Sequence, residues 1–277
     1  MAYDDGVGEW RMRGRSVAAR TARCLRFYSR LKLPTLPWES DPHEAPDAGA
    51  LAPVVPLAGA LIGLVPALVL ITALALDLGP WVSAGLCVAT LAILTGAMHE
   101  DGLADTVDGF GGGTTREKRL AIMRDSRIGS FGASALTLAF VLRIAALATL
   151  CTRLDAFAVA AAVIVAAGIS RSAGLIVLGL LPPARADGAS HAFGRPERRD
   201  VWLAWAVAAA IAVVLGLLGD LPVFGLILML GSSAAVGFGA ARLSDRLIGG
   251  QTGDVVGATQ PLAEIACLIG LLIAVAP

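Results

Sequence analysis

Four carboxylates lie within nine residues in the segment MHEDGLADTVDGFGGG, which begins at Met98. If this segment is a helix that continues an apolar span, the i, i+4, i+7 spacing of Asp101, Asp105 and Asp108 places their side chains on one face. Like charges at this spacing repel one another, and a bound divalent cation relieves the repulsion. Because the ligands are all carboxylate oxygens, the pattern predicts a hard cation such as Mg²⁺, Mn²⁺ or Ca²⁺.

The neighbours of this acidic row extend the predicted site. His99 is expected to be a further ligand or a proton carrier, and Gly109 begins a glycine-rich stretch that ends the helix and lets the chain approach a ligand. The next polar segment offers Arg124 and Arg127 as phosphate contacts and Asp125 as an additional metal ligand. Together these residues predict chemistry on a pyrophosphate. The alternative is a solvated acidic loop whose aspartates cap helices.

Two arginines lie inside apolar runs, where a charge costs at least ~2.5 kcal/mol on insertion scales. Arg171 is predicted to face a cavity shared with the acidic row, with a structural ion pair as the alternative. Arg143 is expected to snorkel or to pair within the helix bundle. One polar loop contributes Arg185, with Asp187 and His191 nearby, and the last polar loop adds an acid that is a candidate metal ligand or base. The predicted substrate contacts of that last loop are Gly250, Gln251, Thr252 and Asp254.

The rest of the sequence must hold these residues at a membrane. Of the 277 residues, 56% are hydrophobic and 16% are charged, whereas a soluble domain carries about 25% charged residues. Apolar runs of about 18 or more residues cross a bilayer as helices. The fold class predicted is therefore an all-α integral membrane protein with about seven transmembrane helices. The spans lie at roughly 54–76, 81–98, 133–151, 156–181, 201–219, 221–241 and 261–276.

Positive charge is concentrated in alternate connectors. Of the 22 Lys and Arg residues, 19 lie in the tail 1–53 or in the three long loops of the chain. By the positive-inside rule these segments are cytoplasmic, which places the N-terminus and the active site on the cytoplasmic side. We divide the chain into a basic tail with its linker, residues 1–50, and a catalytic membrane domain, residues 51–277. Part of the tail has the pattern of a helix that rests on an anionic leaflet, and a loosely ordered tail is the alternative.

The motifs HEDGLADTVDGFGGG, IMRDSRIGSFG, PPARADG and GGQTGDVVGA, in this order, resemble those of the cobalamin synthase family, the adenosylcobinamide-GDP ribazoletransferases. The resemblance runs over nearly the full chain. It implies an Mg²⁺-dependent enzyme of the inner (cytoplasmic) membrane at the end of coenzyme B12 assembly. Such an enzyme joins adenosylcobinamide-GDP to α-ribazole, or to α-ribazole 5′-phosphate, and releases GMP.

The residues read above fit that reaction. As a hypothesis, the catalytic proton acceptor is Asp105, Asp101 or His99. The metal ligands are Asp101, Asp105 and Asp108, with Asp125 or Asp254 as an addition. The phosphate contacts are Arg124, Arg127, Arg171 and Arg185.

Two other functions fit the sequence less well. A phosphotransferase of the CDP-alcohol type is disfavoured, because DGLADTVDG departs from the D-x-x-D-G-x-x-A-R motif of that family. A cation transporter would carry its acids at mid-span, whereas here they lie at the predicted membrane boundary. The expected partners are the two substrates and the lipid bilayer, without nucleic acid. Association with a second copy or with other corrinoid-pathway enzymes is left open.

Overall fold

The structure, a computed structural model, describes residues 6–39, 47–185 and 194–275. Asp187 and His191 lie outside the described residues. The described elements are helical, and a short 3₁₀ turn joins α2 to α3. In chain order the helices are α1 (Gly6–Tyr28), α2 (Ala48–Leu51), α3 (Val55–Ala75), α4 (Gly79–Thr95), α5 (Met98–Gly112), α6 (Arg116–Ile122), α7 (Ser130–Cys151), α8 (Ala156–Leu180), α9 (Arg198–Leu218), α10 (Val223–Ile248) and α11 (Gly253–Ala274).

The protein is a multi-pass membrane protein, as the sequence predicted. Among the described residues, six helices are long and apolar enough to cross a membrane: α3 with the short segment before it, α7, α8, α9, α10 and α11. The pair α4–α5 brings the number to seven if it counts as one span. Large apolar side chains such as Leu68, Ile93 and Leu217 are exposed on the outside of the bundle, where lipid would cover them.

The last two spans are longer than predicted. The α10 helix continues to Ile248 and α11 begins at Gly253, so the predicted loop 242–260 shrinks to residues 249–252. Gly249 ends α10 with a left-handed backbone (φ +67°), which suits a residue without a side chain. Thr252 then caps α11 by accepting a hydrogen bond from the backbone N–H of Val255.

The central helix of the bundle is α8. In its most apolar 18-residue stretch, 94% is buried inside the protein. Small residues let α3 pack directly on it. A side chain at Gly59 would lie 2.5 Å from the carbonyl oxygen of Ala167, and one at Gly168 would lie 3.0 Å from that of Pro56. Close backbone approach through glycine and alanine is a general way of packing helices in lipid, where apolar burial between helices gives little driving force.

A sharp bend separates α4 from α5. The two helices meet at 88°, so the prediction that the acidic segment continues the second span in one straight helix is wrong. The chain turns at Gly96 and Ala97, which both have positive φ (+65° and +55°). Arg30 packs over this turn, and its backbone N–H donates to the carbonyl of Leu94 (2.7 Å). The bend carries α5 across the end of the bundle and turns its acidic face towards α11.

The helix predicted in the tail is present as α1, but its apolar face does not lie on lipid. Cys24 and Tyr28 are buried in one apolar cluster with Val55 of α3 and Leu175 of α8. The chain after α1 is held back against it by a bidentate ion pair from Arg26 to Glu39 (2.9 and 2.8 Å). Helix α1 therefore packs on the membrane helices. The division of the chain at residue 50 stays a prediction.

Candidate active site

The end of α1 and the helices α5, α8 and α11 enclose a cavity of about 220 Å³. Four residues from the predicted site line it together, namely His99, Asp101, Arg171 and Asp254. Asp101 is exposed and marks the open end, whereas Arg171 is 3% exposed and lies deep among the helices. The expectation that Arg171 shares a cavity with the acidic row is thus confirmed for Asp101, whereas Asp105 and Asp108 are not among the lining residues.

The acidic side of the cavity is built by α5 and the first turn of α11. Gly102 makes this possible, because a side chain there would lie 2.8 Å from the carbonyl oxygen of Asp254. Asp105 follows one helical turn after Asp101 in α5. This helix is not among the six that could span a membrane alone. Burial raises the pKa of Asp105 to about 6, and the carboxylates of Asp101 and Asp254 add to the rise.

One arginine partly offsets this negative charge. Arg185 donates from Nη2 to Oδ2 of Asp254 at 2.7 Å, with the two side chains 16% and 29% exposed. Among the described residues, the charge of Arg185 lowers the pKa of Asp105, while the carboxylates of Asp101, Asp254 and Asp108 raise it, so that negative charge predominates around Asp105. Such a group of hard oxygen donors with excess negative charge is suited to a cation.

The donor set fits Mg²⁺ only if other ligands complete it. In the part of the chain that the structure describes, no three His, Cys, Asp or Glu side chains converge into a metal cage. Mg²⁺ is commonly held by one or two carboxylates, with waters and substrate phosphate oxygens in its other positions. Asp101 and Asp105 with Asp254 nearby fit that mode of binding.

Two predicted metal ligands have other partners. Both oxygens of Asp108 accept backbone N–H bonds, from Gly129 (2.7 Å) and Gly132 (2.8 Å), so this side chain anchors the start of α7. Asp125 forms an exposed ion pair with Arg127 (2.5 Å), which lowers the pKa of the Asp125 carboxyl to about 2. The predicted row of three aligned aspartates is thereby reduced to Asp101 and Asp105, because the start of α7 takes up the third.

The guanidinium of Arg171 is only partly satisfied. Its Nη1 donates to the carbonyl of Ala167, one turn earlier in α8, at 2.8 Å. Its Nε and Nη2 are buried and have no hydrogen-bond partner among the described residues. A buried donor without a partner is unfavourable by about 1–3 kcal/mol, and more when it is charged. Because the Arg171 side chain lines the same cavity as Asp101 and Asp254, these two donors are candidate contacts for an anionic ligand.

A second buried arginine, Arg143 of α7, is fully engaged behind α5. It forms an ion pair with Glu100 (3.0 Å) and lies 3.8 Å from Glu264 of α11. Its guanidinium also lies over the ring of Phe140, with 4.9 Å to the ring centroid. The expectation that Arg143 pairs within the bundle is confirmed, and its partner Glu100 is separated from the acidic row for that reason.

The loops 182–185 and 249–252 are joined to each other. The backbone N–H of Ala184 donates to Gln251 (2.7 Å), and that of Gln251 donates to Pro182 (2.9 Å). Gly250 permits this contact, since a side chain there would lie 2.6 Å from the carbonyl oxygen of Pro182. Arg116 of α6 donates to the carbonyl of Ile248 (2.7 Å), the last residue of α10, and to that of Ala184 (2.6 Å) in the first of these loops. This arrangement holds Arg185 beside Asp254.

The other predicted contacts lie elsewhere around the site. Arg124 and Arg127 are exposed and do not line the cavity. Gly109 allows α5 to pack on α6, because a side chain there would lie 2.4 Å from Cγ of Met123. His99 does line the cavity, and burial, followed by the nearby charges of Arg171 and Arg143, holds the pKa of His99 well below its usual range.

Several residues that line the cavity were not singled out from the sequence. Phe27 and Tyr28 reach it from the end of α1, and Gln260 reaches it from α11. Gln260 also donates from Nε2 to Glu264 (3.3 Å), which connects the cavity to the pair of Glu264 with Arg143. The polar Gln260 and Glu264 at i, i+4 in an apolar run were the available signal. No comparable signal marked Phe27 or Tyr28, whose position depends on how α1 packs.

Comparison with known proteins identifies the family. A family model described as cobalamin-5-phosphate synthase matches residues 20–272. The chain belongs to the cobalamin-5-phosphate synthase family. Within it, the chain is 50% identical over 266 residues to the adenosylcobinamide-GDP ribazoletransferase of Azorhizobium caulinodans, covering 96% of this chain and 100% of the relative. It is 49% identical to the protein of the same name from Xanthobacter autotrophicus (93% and 97% covered) and 41% identical to that of Rhizobium etli strain CIAT 652 (94% and 98% covered). No solved structure matches the chain.

Proposed function

We propose that the chain transfers the adenosylcobinamide phosphate group of adenosylcobinamide-GDP to α-ribazole or α-ribazole 5′-phosphate, with release of GMP. A hydroxyl oxygen of the ribazole sugar forms a bond to the cobinamide-linked phosphorus, and the bond from that phosphorus to the oxygen leaving with GMP breaks. The products are adenosylcobalamin, or its 5′-phosphate, and GMP. The full-length likeness to ribazoletransferases supports this activity.

One structural observation supports it at the level of the site. The buried guanidinium of Arg171, two of whose donors have no partner among the described residues, lines the same cavity as Asp101 and Asp254. A pyrophosphate substrate combines anionic oxygens, which suit Arg171 and Arg185, with the capacity to complete a metal site at the carboxylates. Arg185 is held beside the acids by Asp254 and is positioned to meet the same substrate.

Mg²⁺ is the cofactor that the donor set favours, and Asp101 and Asp105, with Asp254, would hold it. When bound, the ion neutralises phosphate charge and the charge that develops on the leaving oxygen. The side chains of the chain itself orient the two substrates, and Asp105, Asp101 or His99 accepts the proton of the attacking hydroxyl. Arg124 and Arg127 lie on the exposed loop before α7, and in this proposal they contact the outer part of the nucleotide substrate.

The proposed setting is the inner membrane, with the N-terminus and the cavity on the cytoplasmic side. The distribution of Lys and Arg supports this orientation. The loop that carries Arg185 and the loop 249–252, which leads into Asp254 at the start of α11, meet at one end of the bundle. The short turn at Arg153 lies at the other end, where it contacts the carbonyl of Val275 (3.0 Å).

The proposal is tested with the purified full-length protein in liposomes, supplied with adenosylcobinamide-GDP, α-ribazole and Mg²⁺. We expect GMP and the cobalamin product in equal amounts, and no turnover after removal of divalent cations. Asp105→Asn should lower kcat by about 1,000-fold, because it weakens the proposed Mg²⁺ site and removes a candidate base. The amount of folded protein should not change.

The matched control is Asp245→Asn, which changes an exposed aspartate near the end of α10 that does not line the cavity. It should leave kcat within twofold of the wild type. Wild-type turnover in Asp105→Asn would move the proposed metal site elsewhere. Absence of product from the wild type with any divalent cation would contradict the activity itself.

A further inference from the structure

The cavity has an aromatic side that the chemistry at the carboxylates does not explain. Tyr28 of α1 and His99 of α5 stack with their ring planes 9° apart and their centroids 5.9 Å apart. Phe27 stands at 88° to Tyr28, with 4.9 Å between centroids. All three residues line the cavity. Two parallel rings and one perpendicular ring thus give one side of the cavity an aromatic lining, which suits contact with a planar aromatic group.

The remaining wall is mostly apolar. It is formed by the side chains of Leu175, Leu178 and Val256 and by the backbone at Gly174 and Gly257. Gly174 keeps this wall flat, because a side chain there would lie 3.1 Å from Cγ1 of Val256. The polar side chains of the lining are those of His99, Asp101, Arg171, Asp254 and Gln260. The cavity therefore suits a ligand that sets a flat apolar body against the aromatic side and directs polar groups towards these side chains.

Three large groups of the two proposed substrates can be compared with this shape. The corrin ring with its amide arms is much larger than a cavity of about 220 Å³. Guanine is flat, but on the aromatic side its amide and amino edge would face the apolar wall at Leu175, Leu178 and Val256 and lose hydrogen bonds to water. Dimethylbenzimidazole, the base of α-ribazole, is flat and bicyclic and carries two methyl groups in place of such an edge.

From this comparison we propose that the aromatic side of the cavity, at Phe27 and Tyr28, is the subsite for the benzimidazole base of the ribazole substrate, with Tyr28 as its stacking platform. The side at Arg171 is then left for the phosphate. The inference rests on the proposed function and adds the position of one substrate within it. With the base beside Tyr28 and His99, the attached ribose lies towards Asp101 and Asp254 at the open end. Helix α1, which is not one of the membrane-spanning helices, thereby contributes to the selection of the nucleoside. The carboxylates face the ribose hydroxyl that attacks the phosphorus.

The test compares the two substrates in steady-state kinetics with the full-length enzyme. Tyr28→Ala should raise KM for α-ribazole by about 5- to 100-fold, the range expected for loss of one base–aromatic stack. KM for adenosylcobinamide-GDP should stay within twofold. Tyr28→Phe keeps the ring and should restore wild-type KM. The control on the same helix is Val17→Ala, which alters an exposed side chain.

Tyr28 belongs to an apolar cluster, and its replacement by alanine could disturb folding. A second variant, at a more exposed residue, separates a folding defect from the loss of a substrate contact. Phe27 is 40% exposed and lines the cavity, and Phe27→Ala should raise the same KM by a smaller factor. Calorimetric titration of each variant with α-ribazole alone gives a binding constant without turnover. We expect Kd to rise in parallel with KM.

The outcomes separate the inference from the activity on which it rests. If the wild type turns over but the variants change KM for adenosylcobinamide-GDP instead, the cavity holds guanosine and the inference is wrong. If neither KM nor Kd for α-ribazole changes in Tyr28→Ala or Phe27→Ala, the inference is also wrong. If the wild type produces no cobalamin, the proposed function fails, and the calorimetric Kd values still decide whether the cavity binds the nucleoside.

Discussion

Two arginines are buried at 1% and 3% exposure in neighbouring parts of the bundle, and their surroundings differ. Arg143 faces two carboxylates, those of Glu100 and Glu264, and an aromatic ring. Arg171 has one backbone carbonyl, and its Nε and Nη2 have no partner in the described chain. The first guanidinium is satisfied by the protein, whereas the second keeps two donors without a partner among the described residues, which a ligand in the cavity would satisfy.

The same contrast divides the acids of α5. Glu100 turns to Arg143, and Asp108 accepts two backbone N–H bonds at the start of α7. Asp101 and Asp105 face Asp254 instead, and their charges repel. Residues that the fold satisfies stabilise it, while residues left with unmatched charge mark the site where substrate and metal would bind. Unfavourable electrostatics of this kind persist at functional sites because the ligand relieves them.

The contrast predicts a large loss of stability at the first arginine. Arg143→Met leaves Glu100 and Glu264 buried without their cation, and breaking such a pair costs about 3–5 kcal/mol. Titration with SDS in mixed micelles should show this loss in the free energy of unfolding. The triple variant Arg143→Met, Glu100→Gln, Glu264→Gln should recover part of it, because no unpaired charge is then left. Equal stability of Arg143→Met and the wild type would show that water already satisfies these carboxylates.

At the second arginine the expected effect is on turnover and not on stability. Arg171→Met should lower kcat/KM by about 100-fold, a loss of roughly 2.7 kcal/mol in transition-state stabilisation, because a phosphate contact is removed. Its free energy of unfolding should equal or exceed that of the wild type, since a buried, partly unpaired charge is gone. If Arg171→Met destabilises the protein as much as Arg143→Met, Arg171 is a structural residue.

Part of this site could be predicted from the sequence, and part required the packing of the helices. The positions of Asp101 and Asp105 follow from local helix periodicity, and the burial of Arg171 follows from the apolar run around it. The two hydrogen bonds that Asp108 accepts from Gly129 and Gly132 depend on where α7 begins. The periodicity within α5 does not indicate that position. The bend also escaped prediction, because Ala97 adopts a positive φ that its side chain disfavours. Tyr28 enters the cavity only because α1 packs against α3 and α8.

The smallest expected effects concern two adjacent residues, Gln251 and Thr252, which the sequence placed together as substrate contacts. Thr252 is engaged as the cap of α11, whereas the buried Oε1 of Gln251 has no partner among the described residues. Thr252→Ala should therefore cost about 1 kcal/mol in the free energy of unfolding, and Thr252→Ser should restore it. Gln251→Met should leave stability unchanged and lower kcat/KM by about tenfold, as expected for loss of a single hydrogen bond to a ligand. The reverse pattern, lost turnover in a stable Thr252→Ala, would mean that the hydroxyl contacts substrate and that an unsatisfied atom does not by itself mark a binding residue.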